Sequence, residues 1–324
     1  MTISSQAQTE SSMQPRTNIS EDSLYSSLDE LIAFRFHVKH RSLNSQQKVM
    51  EQFSGGHHSL RKGSGMIFSE VRQYQAGDDI RHIDWRVSAR TQKVHTKVFT
   101  EEHEKPVIIV AEQTPALFFG SKVRLKAVQG LNIAAILGWT ALQQGDLIGG
   151  LSFNQNHQTW LNPKRQKQTL LTWLQQAIQL QHGLNRPGTV QPHLWQQATQ
   201  QLLKMVKPGS KLFLIGDMLN LSEASQQHLQ SLRKHTEITA IHLYDPLEKE
   251  LPKLGWLNLS SDWLGEHLLP INSLRKKTRQ EYRDSYVNAW QAAEKTFRNL
   301  QIPLIQISTE DKPMEALLKY KIIQ

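Results

Sequence analysis

Five short, continuous apolar runs beyond residue 104 constrain what this chain can fold into. They are VIIVAE (107–112), LIGGLSF (147–153), KLFLIGD (211–217), ITAIHLY (238–244) and PLIQIS (303–308). A strand with one wet face alternates apolar and polar residues, whereas a run that is apolar throughout suits a sheet covered on both faces. The segments between them carry the helical period. Leu125, Val128, Leu131, Ala135, Ile136, Trp139 and Leu142 recur at helical spacing, and Gly145 ends the series. Further helices are expected at about 164–181, 192–206, 222–234, 273–300 and 313–321, and Asn154–Asn156 forms a hairpin turn to a partner strand at 159–161. Strands alternating with helices in this way make an α/β, doubly wound, mostly parallel sheet with helices on both faces. Ligands of such sheets bind at the carboxyl ends of strands, which directs attention to Glu112–Gly120, the loop near Gly188, and Asp217.

The rest of the chain is less regular. Residues 1–22 form a polar Ser/Gln/Thr tail, too poor in apolar groups to order itself and without the pattern of a secretory leader. A helix is expected from Ser23, with Leu24, Leu28, Leu31 and Ile32 on one face. The chain thus divides into a tail (1–22), an N-terminal helix with a charged segment (23–103) and the α/β domain (104–324), in which 245–272 is a β-rich excursion. No apolar run approaches the ~18 residues of a membrane span. Cysteine is absent, which removes disulfide and thiolate chemistry, and the expected location is the cytoplasm. The net charge of +9 favours an acidic partner over a cationic one. The basic residues are scattered, with no Arg-rich tract among stacking aromatics, so nucleic acid is not the expected partner, although a basic-surface binder of nucleic acid or anionic membrane stands as an alternative, and no small-molecule substrate is expected.

The most unusual composition lies at Gly63–Arg90, GSGMIFSEVRQYQAGDDIRHIDWRVSAR. Arginines 72, 81, 86 and 90 alternate with Glu70, Asp78, Asp79 and Asp84 among aromatic and aliphatic residues. Ile67, Val71 and Tyr74, then Ile80, Ile83 and Trp85, suggest short irregular strands, with a turn at Gly77-Asp78-Asp79. Asp78, Asp79, His82 and Asp84 would make a hard-ligand metal cluster for a hydrolase. The neighbouring arginines are poor company for a cation, and carboxylates interleaved with Arg favour a paired-charge network. That network, of Glu70, Arg72, Tyr74, Gly77, Asp78, Asp79, Arg81, Asp84, Trp85 and Arg90, is read as a brace between the N-terminal region and the α/β domain. No phosphate-cradling glycine loop, GxSxG elbow or HExxH pattern occurs, and no catalytic residue is assigned.

The run from Gly63 to Arg90, its continuation HTKVFTEEHEKPVIIV (95–110), and the segments FFGSKVRLKAVQ (118–129) and GDLIGGLSF (145–153) resemble the bacterial domain of unknown function 58 family. The resemblance implies a von Willebrand factor A-like domain. It also implies a non-enzymatic adaptor that acts with a MoxR-type AAA+ ATPase in chaperone-like assembly or maturation of other proteins. Domains of this type often hold Mg in an adhesion site built on DxSxS, a distant Thr and a distant Asp. Here the DxSxS position reads Glu112-Gln113-Thr114-Pro115-Ala116, with Thr189 and Asp217 where the remaining ligands are expected. The set Glu112, Thr114, Thr189 and Asp217 is degenerate: Glu has a different reach from Asp, and Ala116 offers no oxygen. No cofactor is therefore assigned, although Mg is the ion such a site would take.

Overall fold

The computed structural model describes residues 24–45, 67–75, 78, 80–100, 105–188, 191–260 and 268–324. All five apolar runs are strands of one sheet. These are β3 (Pro106–Glu112), β4 (Leu147–Phe153), β6 (Lys211–Gly216), β7 (Glu237–Tyr244) and β10 (Leu304–Ser308), with β5 (Gln158–Lys164) completing it. The order is β10-β7-β6-β3-β4-β5, parallel except for β5, which pairs antiparallel to β4. From β3 the chain adds β4 and β5 on one side and β6, β7 and β10 on the other, so the strand order reverses between β3 and β6. That is the switch point where doubly wound folds bind ligands. The sheet is the doubly wound, mostly parallel α/β arrangement expected from the sequence.

Burial on both faces explains the uninterrupted apolar runs. Val107, Ile109 and Ala111 of β3 point into one core, and Ile108 and Val110 into the other. The first core holds α3 (Lys126–Gln144), α4 (Lys167–His182) and α9 (Pro313–Lys319). The second holds α5 (Pro192–Met205), α6 (Glu223–Arg233) and α8 (Lys276–Asn299). Gly145 ends α3 with a φ of 83°, a left-handed conformation that favours glycine. A Cβ on Gly150 would collide with the Trp173 indole, so this glycine lets α4 lie close to β4.

The N-terminal helix α1 (Leu28–His37) packs on the α/β domain. Ser27 caps it, Leu31 is fully buried in the first core, and the Trp139 indole donates to the Leu31 carbonyl at 2.8 Å. Residues 42–44 then pair with the chain's end through Ser42 and Gln324 and through a bridge from Leu43 to Ile323. Although far from the domain in sequence, α1 is thus part of its core.

The charged segment forms β1 (Ile67–Gln73), antiparallel to β2 (His95–Thr100). Between them the expected strands over Ile80–Trp85 are replaced by a 3-10 turn, Ile80–His82, and a helix, α2 (Trp85–Thr91). The reason is local: Asp84 accepts hydrogen bonds from the backbone N–H of Arg86 and Val87, each 3.1 Å, and so starts a helix. The excursion between β7 and α8 contains α7 (Pro246–Lys249) and an isolated ribbon of β8 (Trp256–Ser260) and β9 (Leu268–Asn272).

Candidate functional site

The carboxyl ends of β3, β6, β7 and β10 lie side by side along one edge of the sheet from the switch point outward, and each strand end or the loop after it contributes a polar side chain. Glu112, the last residue of β3, is 2% exposed and every acceptor it has is engaged. Its Oε2 accepts from the Asp217 backbone N–H at 2.8 Å and from the Trp195 indole at 2.9 Å. Its Oε1 lies 2.6 Å from the Thr114 hydroxyl. Gly216 makes room for this carboxylate, because a Cβ there would overlap it. Burial lifts the Glu112 pKa to about 7, against the hydrogen bonds that favour the anion.

Beside it, Lys126 opens α3 with a side chain only 1% exposed. Its ammonium lies 2.6 Å from Glu248 Oε1 and 3.6 Å from Asp217 Oδ2. Burial alone would depress an amine, but the charges of Glu248 and Asp217 outweigh it and hold Lys126 protonated above the ordinary lysine range. Glu248 is fixed by a capping box: it accepts from the Asp245 backbone N–H at 2.8 Å while Asp245 caps α7. Asp245, wholly buried, also accepts from Ser121 N–H at 2.9 Å and from the Thr309 hydroxyl at 2.6 Å. That carboxylate therefore ties the loops after β3, β7 and β10 together. His242 lies 3.7 Å from Asp217, but this is no ion pair: burial drives the imidazole down to about 4. The Met218 backbone N–H donates to its Nδ1 at 3.2 Å, leaving the ring proton on Nε2.

The structure therefore brings together Glu112, Thr114 and Asp217, as the sequence suggests, while Thr189 lies outside the described residues. These groups do not fit a divalent cation. The Thr114 hydroxyl and both Glu112 oxygens are engaged with protein partners, Ala116 supplies no oxygen, and an ammonium already sits against Asp217. Among the described residues no group of three His, Asp or Glu side chains could hold a metal. Lys126, Trp195, His242, Asp245 and Glu248 were not expected. Only the Asp-x-x-Glu capping signature at 245–248 could have exposed any of them.

The charged segment forms local contacts. Arg72 pairs with Asp78 at 2.7 Å, and Asp78 also accepts from Gln75 N–H at 2.9 Å, holding its carboxyl below the ordinary range chiefly through Arg72. Tyr74 donates its N–H to Val94 at 2.8 Å, and Glu70 pairs with Val98 in the β ladder. Asp84 caps α2, which carries Trp85, 70% exposed, and Arg90. Arg81 lies in the 3-10 turn, while Gly77, Asp79, His57 and His58 lie outside the described residues.

Comparison with known proteins adds three findings. The model of a family described as "Protein of unknown function DUF58" matches residues 70–292, spanning the charged segment and most of the α/β domain. Uncharacterized proteins of Mycobacterium bovis (Mb1516) and Mycobacterium tuberculosis (Rv1480) are each 25% identical over 268 residues, covering 83% of this chain and 82% of theirs. Among solved structures, BatB from Bacteroides thetaiotaomicron aligns over 67% of this chain and 96% of its own, at 12% identity and a TM-score of 0.39. A von Willebrand factor type A protein from Catenulispora acidiphila aligns over 71% of this chain and 43% of its own, at 11% identity and a TM-score of 0.31.

Proposed function

We propose, from the premise that the chain belongs to the DUF58 family of proteins of unknown function, that it is a non-enzymatic interaction protein whose strand-end face docks another protein. The observation that carries this reading is the apolar surface of the excursion between β7 and α8. Leu254 and Trp256 are each 69% exposed there, Leu274 61% and Leu269 56%. A lone two-stranded ribbon is marginally stable in water, and exposed Trp and Leu side chains are of the kind that contact surfaces bury; Trp256 and Leu269 lie on opposite faces of the ribbon. The ribbon leaves the carboxyl end of β7, beside the switch point. There the positions a small ligand would use are filled by the protein's own paired charges.

The family resemblance supplies the finer assignment, a MoxR-type AAA+ ATPase as partner in the cytoplasm, with this chain as adaptor in the maturation of other proteins. The net charge of +9 suits an acidic face on such a partner, and among the described residues no helix is long and apolar enough to cross a membrane. The alternative of a metal-dependent hydrolase is weaker, because Asp78 and Asp84 of its four residues already serve a turn and a helix cap.

Co-purification with the ATPase encoded nearest to it, with a non-hydrolysable ATP analogue present, tests the proposal. The wild-type chain should be retained, and Trp256→Ala should be released with an unchanged melting temperature. No retention of the wild type in any nucleotide state would refute the partner assignment, and undiminished retention of Trp256→Ala would refute the docking face.

A further inference from the structure

We infer that the Lys126 ammonium is the resident cation of the switch-point site, standing where a domain of this architecture would place a divalent metal, so that the site is closed to external cations. The inference concerns the site's own chemistry and holds independently of any partner.

The position of the lysine is costly by every local rule. It opens α3, whose N-terminal end carries partial positive charge and whose first turn contains no acidic residue. Its side chain is 1% exposed, and removing an ammonium from water is tolerated only where anions replace the solvent. Two anions do so here. Glu248 makes a 2.6 Å charge-assisted contact and Asp217 stands 3.6 Å away, the first from the loop after β7 and the second from the loop after β6. The lysine thus bridges the helix and two strand ends, the task a bound ion performs in a metal site.

What excludes a second cation is geometry rather than charge count, since the two carboxylates that face Lys126 are already turned toward its ammonium. His242 is neutral, and Glu112 is set among neutral donors, the Thr114 hydroxyl, the Trp195 indole and the Asp217 N–H. Magnesium requires six oxygens in near-ideal octahedral geometry. The oxygens that could approach it are oriented toward hydrogen donors, and the centre of the cluster holds an Nζ atom.

The test uses the full-length chain, with MgCl2, MnCl2 and EDTA as the probes, read by thermal melting and by isothermal titration. The wild-type chain should melt at the same temperature in all three and give no saturable heat with Mn. Lys126→Ala leaves Asp217 and Glu248 facing each other across the space of a side chain. It should melt lower in EDTA and regain stability saturably with Mn. Lys126→Met should melt lower and show little Mn response, because the thioether fills the space. The double variant Lys126→Met/Glu248→Gln, which removes one charge of each sign, should recover most of that loss. Saturable Mn binding by the wild type that Asp217→Asn abolishes would overturn the inference. So would a folded Lys126→Ala variant that ignores Mn, or a double variant that is no more stable than Lys126→Met or fails to fold.

Discussion

Replacing Glu112 by Gln tests the electrostatics of the site, because the amide keeps the hydrogen bonds and removes the titration. The Gln carbonyl can accept from Asp217 N–H and Trp195, and the amide can donate to the Thr114 oxygen, following the contacts at 2.8, 2.9 and 2.6 Å. The pKa of Glu112 rises from 4.5 to about 7 on folding. Its protonated form is therefore favoured in the native state. The associated stability is fully present below pH 4.5 and is lost as the pH rises through about 7, a change of roughly 3 kcal/mol. His242 acts in the opposite sense. Its pKa falls from 6.5 to about 4, so the unfolded chain binds the extra proton. That contribution is present above 6.5 and is lost as the pH falls through 4, again roughly 3 kcal/mol.

Between about pH 4.5 and 6.5 the two contributions offset each other in the wild-type chain. In Glu112→Gln only the His242 slope remains. Urea denaturation at intervals from pH 4.5 to 8 should show the variant gaining on the wild type as the pH rises, by roughly 3 kcal/mol over the range. A stability difference that does not change with pH would refute the reasoning, since it would mean that Glu112 titrates alike in the folded and unfolded chain. A difference that shrinks with pH would mean that the anion is the favoured native form.

Leu31→Ala should destabilise the α/β domain by roughly 2–5 kcal/mol in the same denaturation assay, because Leu31 is a fully buried member of its core; a negligible loss would detach α1 from the domain. Arg72→Ala should leave the denaturation midpoint nearly unchanged, since the Arg72–Asp78 pair is solvent-screened, and a large shift would show that the pair braces the domain. Asp84→Ala should cost about 1 kcal/mol through loss of the α2 cap, seen by hydrogen exchange as faster exchange at Arg86 and Val87. Gly216→Ala should lower the melting temperature by an amount equivalent to roughly 1–3 kcal/mol, because the new methyl would displace the Glu112 carboxylate and press on Trp195.

The sheet was legible because its strands are buried on both faces. The run VIIVAE at 107–112 differs by one residue from β3, and ITAIHLY at 238–244 differs by one from β7. Helix α3 was legible from its period and the Gly145 that ends it. The segment around Ile80 and Trp85 was misread as strand because its apolar residues are spaced ambiguously. What decides its structure is one side chain, Asp84, turning back on two backbone N–H groups. Within the site, Glu112 and Asp217 were legible since strand ends can be located from the strands. Lys126 was not. It sits in a helical series where a lysine ordinarily faces water, and its partner Glu248 lies 122 positions away. No local pattern encodes a contact of that separation. The fully buried Gln113 has a carboxamide without a protein partner at either atom, and nothing in the structure explains it.

The same long-range contacts bear on the proposal that this end of the sheet serves recognition rather than catalysis. A doubly wound sheet acquires a crevice at its switch point because the loops on either side depart in opposite directions. Here buried carboxylates draw those loops together: Asp245 holds Ser121 and Thr309, Glu248 holds Lys126, and Glu112 holds the backbone at Asp217. Each tie uses an acceptor or a charge that a substrate or metal would otherwise address. An end knitted in this way is rigid, and rigidity lowers the entropic cost of docking a partner. The groups left for a partner are those outside the cluster, and in the excursion these include the exposed Leu254, Trp256 and Leu269. Under the proposed docking role, specificity would come from the excursion between β7 and α8, which leaves the same end of the sheet as the ionic cluster.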